Sequence, residues 1–428
     1  MIVCDYLSVG RIVCCLLITL ISNRRAGKEV AFSMSRDLSL DILRGIMLII
    51  MATDHFGEPV FQHIYEFAGY VSAAEGFVFL SGMLVALVYG RYHAAGANVM
   101  ERRVWKRAGV IYLYHMVVLI AVFVFTMATV WSGADWQSFA TEMQVEPVRA
   151  LISGMLLSYQ APMLDILPLY VILMLCAPLA LRWMAQYQGM GIFMVILGSV
   201  SLWGAAQYGL GHQLLGVIPD ALLLRTGAFD LMAWQLLFVL GMVLGFARMD
   251  SKATAPRLNA WLMTASIGMV VYLFLQRHGY IAHDASALVA WLQEFRHIAR
   301  DNMAWLRVLN FLAFVYVIAG VIVLQHRYGV LNWLAAPARW LAFLGQHSLQ
   351  VFAYHLVVLY CYIPFRWGEL AFSDNQKWVV LVVFLASLTL PAWWHARYLQ
   401  ARKANKIQPR RTDFTPALGV SGLAAVSG

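Results

Sequence analysis

The sequence predicts an all-α integral membrane protein, a bundle of about ten transmembrane helices. Three observations lead there. Apolar residues make up 61% of the 428-residue chain and charged residues 12%, about half the charged share of a soluble domain. The apolar residues gather in stretches long enough to cross a bilayer with some tilt. The short connections between them alternate in charge, with Lys and Arg concentrated on one side.

The expected spans fall near 38–57, 75–90, 108–131, 166–184, 189–208, 231–248, 258–276, 306–325, 340–362 and 377–395. Loop 91–107 carries Arg91, Arg102, Arg103, Lys106 and Arg107. The loop with Arg248, Lys252 and Arg257 and the tail from Arg397 to Arg411 are basic too. Placing these inside puts both termini in the cytoplasm. Loops 132–165 and 277–304 then face out, the first with Asp135, Glu142, Glu146 and Asp165. An even number of spans agrees with this map.

The flanks carry less. In residues 1–33, IVCCLLITLI is too short to span and no convincing cleavage site follows it, so the natural start is expected at Met34. The membrane domain is expected over 34–397, and the basic, then Gly/Ser-rich stretch 398–428 is expected to be disordered. The stretch ASALVAWLQEFRHIA at 285–299 has helical apolar spacing, suited to lying along the outer surface or to a plain loop helix. The net charge of +9 does not indicate nucleic acid, because the basic residues sit in short loops without interleaved aromatic segments. Cys4, Cys14, Cys15, Cys176 and Cys361 form no disulfide framework or metal-ligand spacing.

Ionisable residues in the spans carry the functional signal, because charge at membrane depth is expensive unless it is paired or wetted. The first span, RDLSLDILRGIMLIIMATDHFG, holds Asp41, Arg44, Asp54 and His55. Arg44 and His55 lie within about 20° of one helix face and about 16 Å apart along it. The topology puts His55 at the outer end of span one, Glu75 at the outer mouth of span two and Asp165 just before span four. His355 lies about 22 Å along span nine, at the same level. Asp230 and Gln235 are candidates to join them. An interfacial polar side chain explains any one of these residues; their coincidence at one level argues for a shared polar cavity.

The block LDILRG…H…SAAEGFVFLSG resembles the OpgC family, succinyltransferases of osmoregulated periplasmic glucans, within the membrane acyltransferase superfamily. MLDILPLYVILM, FDLMAWQLLFVLG and LGQHSLQVFAYH are similar to later blocks of that family, so the resemblance runs over about 36–395. It implies an enzyme that transfers an acyl group from acyl-coenzyme A, succinyl-coenzyme A above all, to a periplasmic glucan or other extracytoplasmic glycan, in contact with membrane lipid and with no metal.

Such a transfer needs a base to activate the sugar hydroxyl, and His55 suits that role near neutral pH. Glu75 or Asp165, on other helices, is the expected orienter of its ring, while Asp54, about 100° around the helix, is expected to point elsewhere. His355 is expected to serve the thioester oxyanion or the acceptor. Ser81 is read as a packing residue beside Gly82. For the donor, Arg102, Arg103 and Arg107 are expected to hold phosphates, with Arg44 along the route and Asp41 about one turn below it. No phosphate-cradling glycine loop is present, which excludes a soluble-type nucleotide domain. Arg225, Arg277, Arg307 and Arg366 are outside-facing candidates for reading a succinyl carboxylate. The rival class is a transporter or a flippase of lipid-linked sugar. It predicts paired broken helices, and Pro168 and Pro178 have no counterpart pair.

Overall fold

The computed structural model describes residues 37–57, 64–132, 141–215, 222–225, 227–249, 258–281, 298–365 and 371–407. Residues 1–33, most of the 285–299 stretch, Arg366 and the tail beyond 407 lie outside them. In chain order the helices are α1 (Leu38–Phe56), α2 (Ala73–Tyr89), α3 (Ala97–Ser132), α4 (Thr141–Val145), α5 (Pro147–Met155), α6 (Ile166–Gln207) and α7 (Leu210–Leu215). They continue with α8 (Leu231–Ala247), α9 (Ala260–Arg277), α10 (Trp305–Tyr328), α11 (Ala335–Gln346), α12 (Ser348–Tyr362), α13 (Asp374–Ser387) and α14 (Thr389–Ile407). Among the described residues, strand-type pairing is limited to one parallel bridge between Tyr159 and Arg225.

Seven segments among the described residues are long and apolar enough to cross a membrane: α2 with the turn after it, α3, α6, α9, α10, α12 and the α13–α14 run. The apolar α8 is shorter, and α1 is interrupted by Asp41, Arg44 and Asp54. Length and composition therefore establish a multi-pass helical bundle, and not the expected count of ten. Along α3, Leu113, Val117, Ile120 and Val124 form an exposed apolar stripe, the kind of face that lipid covers.

The expected spans 166–184 and 189–208 are the two arms of α6: Gln188 between them has the non-helical angles φ 48° and ψ −122°, and the chain doubles back there. Both ends of α6 reach one end of the bundle: Asp165 accepts from the Ala228 amide, and Gln207 Nε2 donates to the Asn302 carbonyl at 2.6 Å. Gly191 permits the turn, since a Cβ there would collide with the Trp183 carbonyl. The expected span 340–362 is divided instead, into α11 and α12 at His347, and 377–395 is divided at Leu388.

Two helix crossings fix the site-bearing elements. A Cβ at Gly82 of α2 would strike the Phe238 carbonyl of α8, and one at Gly241 would strike the Phe79 carbonyl. The same relation joins α1 to α11, through Gly45 against Leu341 and Gly345 against Asp41. Close backbone approach over small residues is how helices associate where lipid removes the hydrophobic drive between them. Caps then set where α1, α2 and α8 begin: Asp37 accepts from Ser39 N, Ser72 and Glu75 form a capping box, and Asp230 accepts from Met232 N at 2.7 Å.

Candidate active site

The starts of α2, α6, α8 and α10, the end of α1 and the second half of α12 meet at one end of the bundle. Their connections are tied by backbone groups. The Asp230 amide donates to the Asp301 carbonyl at 3.1 Å, and Trp234 Nε1 lies 3.1 Å from the carbonyls of Arg300 and Asp301. The Tyr360 hydroxyl donates to the Pro162 carbonyl at 2.6 Å. A small cleft in this end is lined by Asp54, His55, Ser72, Asp165, Phe229 and Arg300, with apolar neighbours.

His55 meets His355 across it. His55 Nδ1 lies 3.2 Å from His355 Nε2, with the rings stacked at 5.4 Å between centroids. His355 is buried, and its ring also packs edge-on against Phe352, with 4.8 Å between ring centres. Which ring donates in this contact depends on the tautomer; where His55 Nδ1–H is the donor, His355 Nε2 accepts.

The carboxylates take other partners. Fully buried Glu75, the N3 residue of the capping box, accepts from Ser72 N at 2.9 Å and from Arg307 Nη1 at 2.8 Å. Arg307 also holds Glu66, which in turn holds Arg277. Asp165 lines the cleft and accepts from Ala228 N at 3.1 Å; burial pushes its carboxyl up from the ordinary value, with the Ala228 amide and Arg300 opposing. Glu75 is thus engaged elsewhere, Asp165 shares the cleft with His55, and His355 occupies the Nδ1 side of His55. Asp54 corrects a second expectation: it lines the same cleft as His55, because a 100° offset still faces a cleft that wraps the end of α1. Asp230 and Gln235 do not join it. Asp230 caps α8, and Gln235 bonds Ser199 Oγ at 2.7 Å and the Ser199 carbonyl at 2.8 Å.

The residues expected on the donor side lie at the opposite end. Arg44 donates to the Ser348 hydroxyl, and Asp41 is buried at the α1–α11 crossing. Arg102 and Arg103 are exposed on the first turns of α3, and Arg107 is half-buried. Arg103 lies 4.0 Å over the Tyr92 ring. His347 Nδ1 and His395 Nδ1 approach to 2.8 Å beside them, a second histidine pair that sequence reasoning missed.

A family model described as OpgC protein matches residues 36–400. The chain belongs to the OpgC family. No curated protein and no solved structure matches it. In this OpgC family member the matched region contains every described helix except the last turns of α14, so both polar ends belong to the family domain.

One cleft residue escaped sequence reasoning altogether. Arg300 sits in the connection before α10, where an arginine carries no special signal, and only the fold brings it beside His55. Burial works against its charge, but Glu75, Tyr65, Asp165 and Asp54 outweigh that and hold the guanidinium cationic.

Proposed function

We propose that this chain is a membrane-embedded O-acyltransferase. It moves a succinyl or other acyl group from cytoplasmic acyl-coenzyme A to a hydroxyl of a periplasmic glucan or another extracytoplasmic glycan. Membership in an acyltransferase family supports the class of reaction. The observation that carries the mechanism is the contact of His55 Nδ1 with His355 Nε2 beside a polar cleft that His55 lines.

In the proposed reaction His55 Nε2 takes the proton of the sugar hydroxyl as its oxygen attacks the thioester carbonyl carbon. The C–S bond breaks, and the coenzyme A thiolate leaves with the proton returned by the imidazolium. His355 holds the His55 ring and its tautomer, as an acceptor on the far side of a catalytic imidazole does. Asp165 and Glu75 set the charge around the cleft, Glu75 acting through Arg307. At the other end Arg44 lines the donor route with Asp41 nearby, and Arg102, Arg103 and Arg107 face the nucleotide phosphates. The Lys/Arg asymmetry puts that end and both termini on the cytoplasmic side of the inner membrane.

The test is the full chain in lipid nanodiscs with acyl-coenzyme A and glucan. Thiol release that depends on glucan, with acylated glucan as product, is expected. A folded protein that releases no thiol from any acyl-coenzyme A would remove this reading, and export of unmodified glycan would favour the transporter class.

A further inference from the structure

We propose that exposed aromatic and cationic side chains of α11 and α14 form a binding site for the headgroup of an anionic phospholipid, in the leaflet around the Arg44 end of the bundle. The site is separate from acyl transfer and stands without that reading.

Helices α13 and α14 share an exposed stripe whose chemistry changes along its length. Val379, Val383 and Leu390 are followed at helical spacing by Trp393, Trp394 and Arg397, all exposed. Leu388, between the two helices, keeps φ −59° and ψ −18°, so the periodicity carries through. Val379 and Arg397 lie about 27 Å apart at the helical rise, close to one hydrocarbon thickness of about 30 Å. The stripe thus runs from a face suited to acyl chains, through indoles that favour the membrane interface, to a guanidinium at headgroup level. Arg397 lies 5.1 Å over the Trp393 ring, which keeps its charge beside the indole.

Helix α11 supplies the second wall. Trp340 Nε1 donates to Thr389 Oγ1 at 3.0 Å and ties α11 to the start of α14. Arg339 beside it is exposed, and Trp333, in the turn before α11, is 78% exposed. Gln325 holds that turn, accepting from Leu331 N at 2.6 Å and donating to Asn332 Oδ1 at 2.9 Å.

Charge selects the occupant. No Asp or Glu occurs in 305–365 or in 375–407, so Arg327, Arg339, Arg397, Arg402 and Lys403 have no acidic residue on their own helices. Described carboxylates elsewhere at this end are engaged: Asp37 pairs with Arg248, Glu101 pairs with Arg182, and Asp41 is buried. Basic residues clustered at a membrane surface without acidic neighbours attract anionic lipid. A soluble phosphate would use the cations alone. The exposed indoles in line with them serve a ligand that also carries acyl chains.

The experiment places the full chain in phosphatidylcholine vesicles carrying a photoactivatable phosphatidylglycerol or, at equal mole fraction, a photoactivatable phosphatidylcholine. Crosslinked peptides are mapped by mass spectrometry. On the unaltered protein, peptides of α11 and α14 are expected to be labelled about tenfold more by the glycerol lipid, the gain from one or two basic residues at an anionic surface. A ratio near one is expected along α9, and the α11–α14 preference should fall as salt rises. Arg339→Gln combined with Arg397→Gln and Arg402→Gln should return that preference to near one, with labelling by the choline lipid kept as the sign of an intact bundle. The two-lipid comparison needs no variant, so a misfolded substitution leaves the proposal decidable. Equal labelling by the two lipids, or a preference as large at the basic start of α3, would overturn the site. Loss of the preference on adding inorganic phosphate or coenzyme A at constant ionic strength would assign the cations to a soluble phosphate and overturn the lipid reading.

Discussion

The two ends of this bundle use polar residues in opposite ways. At the His55 end, buried carboxylates and arginines form a chain from Glu75 through Arg307 and Glu66 to Arg277, beside a cleft. At the Arg44 end, the basic residues of α3 are exposed or half-buried, and Arg103 lies over the Tyr92 ring. Helix α12 joins the two, with His355 against His55 at one end and His347 against His395 at the other. On the proposed function, that difference divides the chemistry between the two ends. A buried, mutually paired network fixes geometry, which a reacting centre requires. Exposed cations on a helix face attract a charged ligand without fixing it, which suits a donor that must come and go.

Several substitutions would break or sharpen that contrast. The largest effect on stability is expected for Arg307→Met, which strands Glu75 and Glu66. Breaking a buried pair this way costs about 3–5 kcal/mol, and thermal unfolding in detergent should register it. Next, His355→Ala removes the acceptor behind His55 and should lower transfer at saturating donor by about ten- to a hundredfold, with donor affinity kept. Arg102→Ala with Arg103→Ala should weaken donor binding several-fold, and the difference should shrink as salt rises. Little should change at the His55 end.

Asp165→Asn gives the smallest effect, and its sign is fixed. Burial raises the folded pKa of Asp165, so the folded chain holds that proton more tightly than the unfolded one. Its stabilising contribution is complete below the unfolded carboxylate value and is lost as pH rises through the folded one. The Asn variant should show a flatter decline in stability over that window; an identical pH profile would contradict it.

Sidedness can be read separately. A cysteine in place of exposed Tyr280, on the connection after α9, should react with an impermeant reagent once the outer membrane is opened. One in place of Asn98 should react only after the inner membrane is breached. The reverse pattern would invert the map.

Much of this was legible in the sequence, because charge in an apolar background is a strong signal. Arg44 and His55 stand out on α1, and the residues expected at one membrane level, His55, Glu75, Asp165 and His355, lie toward one end of the bundle. Hydropathy also located both halves of α6, though not the sharp turn at Gln188, where a glutamine takes a conformation its residue type does not announce. Partners were harder. Ser72 and Glu75 have the spacing of a capping box, which foretells a carboxylate turned toward its own helix start and away from His55. The Asp54 offset was read too literally. Arg300 was invisible, since long-range ties such as those of Trp234 and Asp230 to the Arg300 and Asp301 carbonyls hold that connection at the cleft.

The division of labour along α1 has one direct test. Equilibrium binding of a non-hydrolysable acyl-coenzyme A and single-turnover transfer to glucan should be measured together on His55→Ala and Arg44→Ala. For His55→Ala the account predicts donor binding like that of the unaltered protein and transfer lower by about a thousandfold, within the range a general base supplies. For Arg44→Ala it predicts donor affinity down by about tenfold, the loss of a charge-assisted contact, with transfer retained at saturation. Equal loss of donor affinity in both variants, or near-normal transfer by His55→Ala, would contradict it.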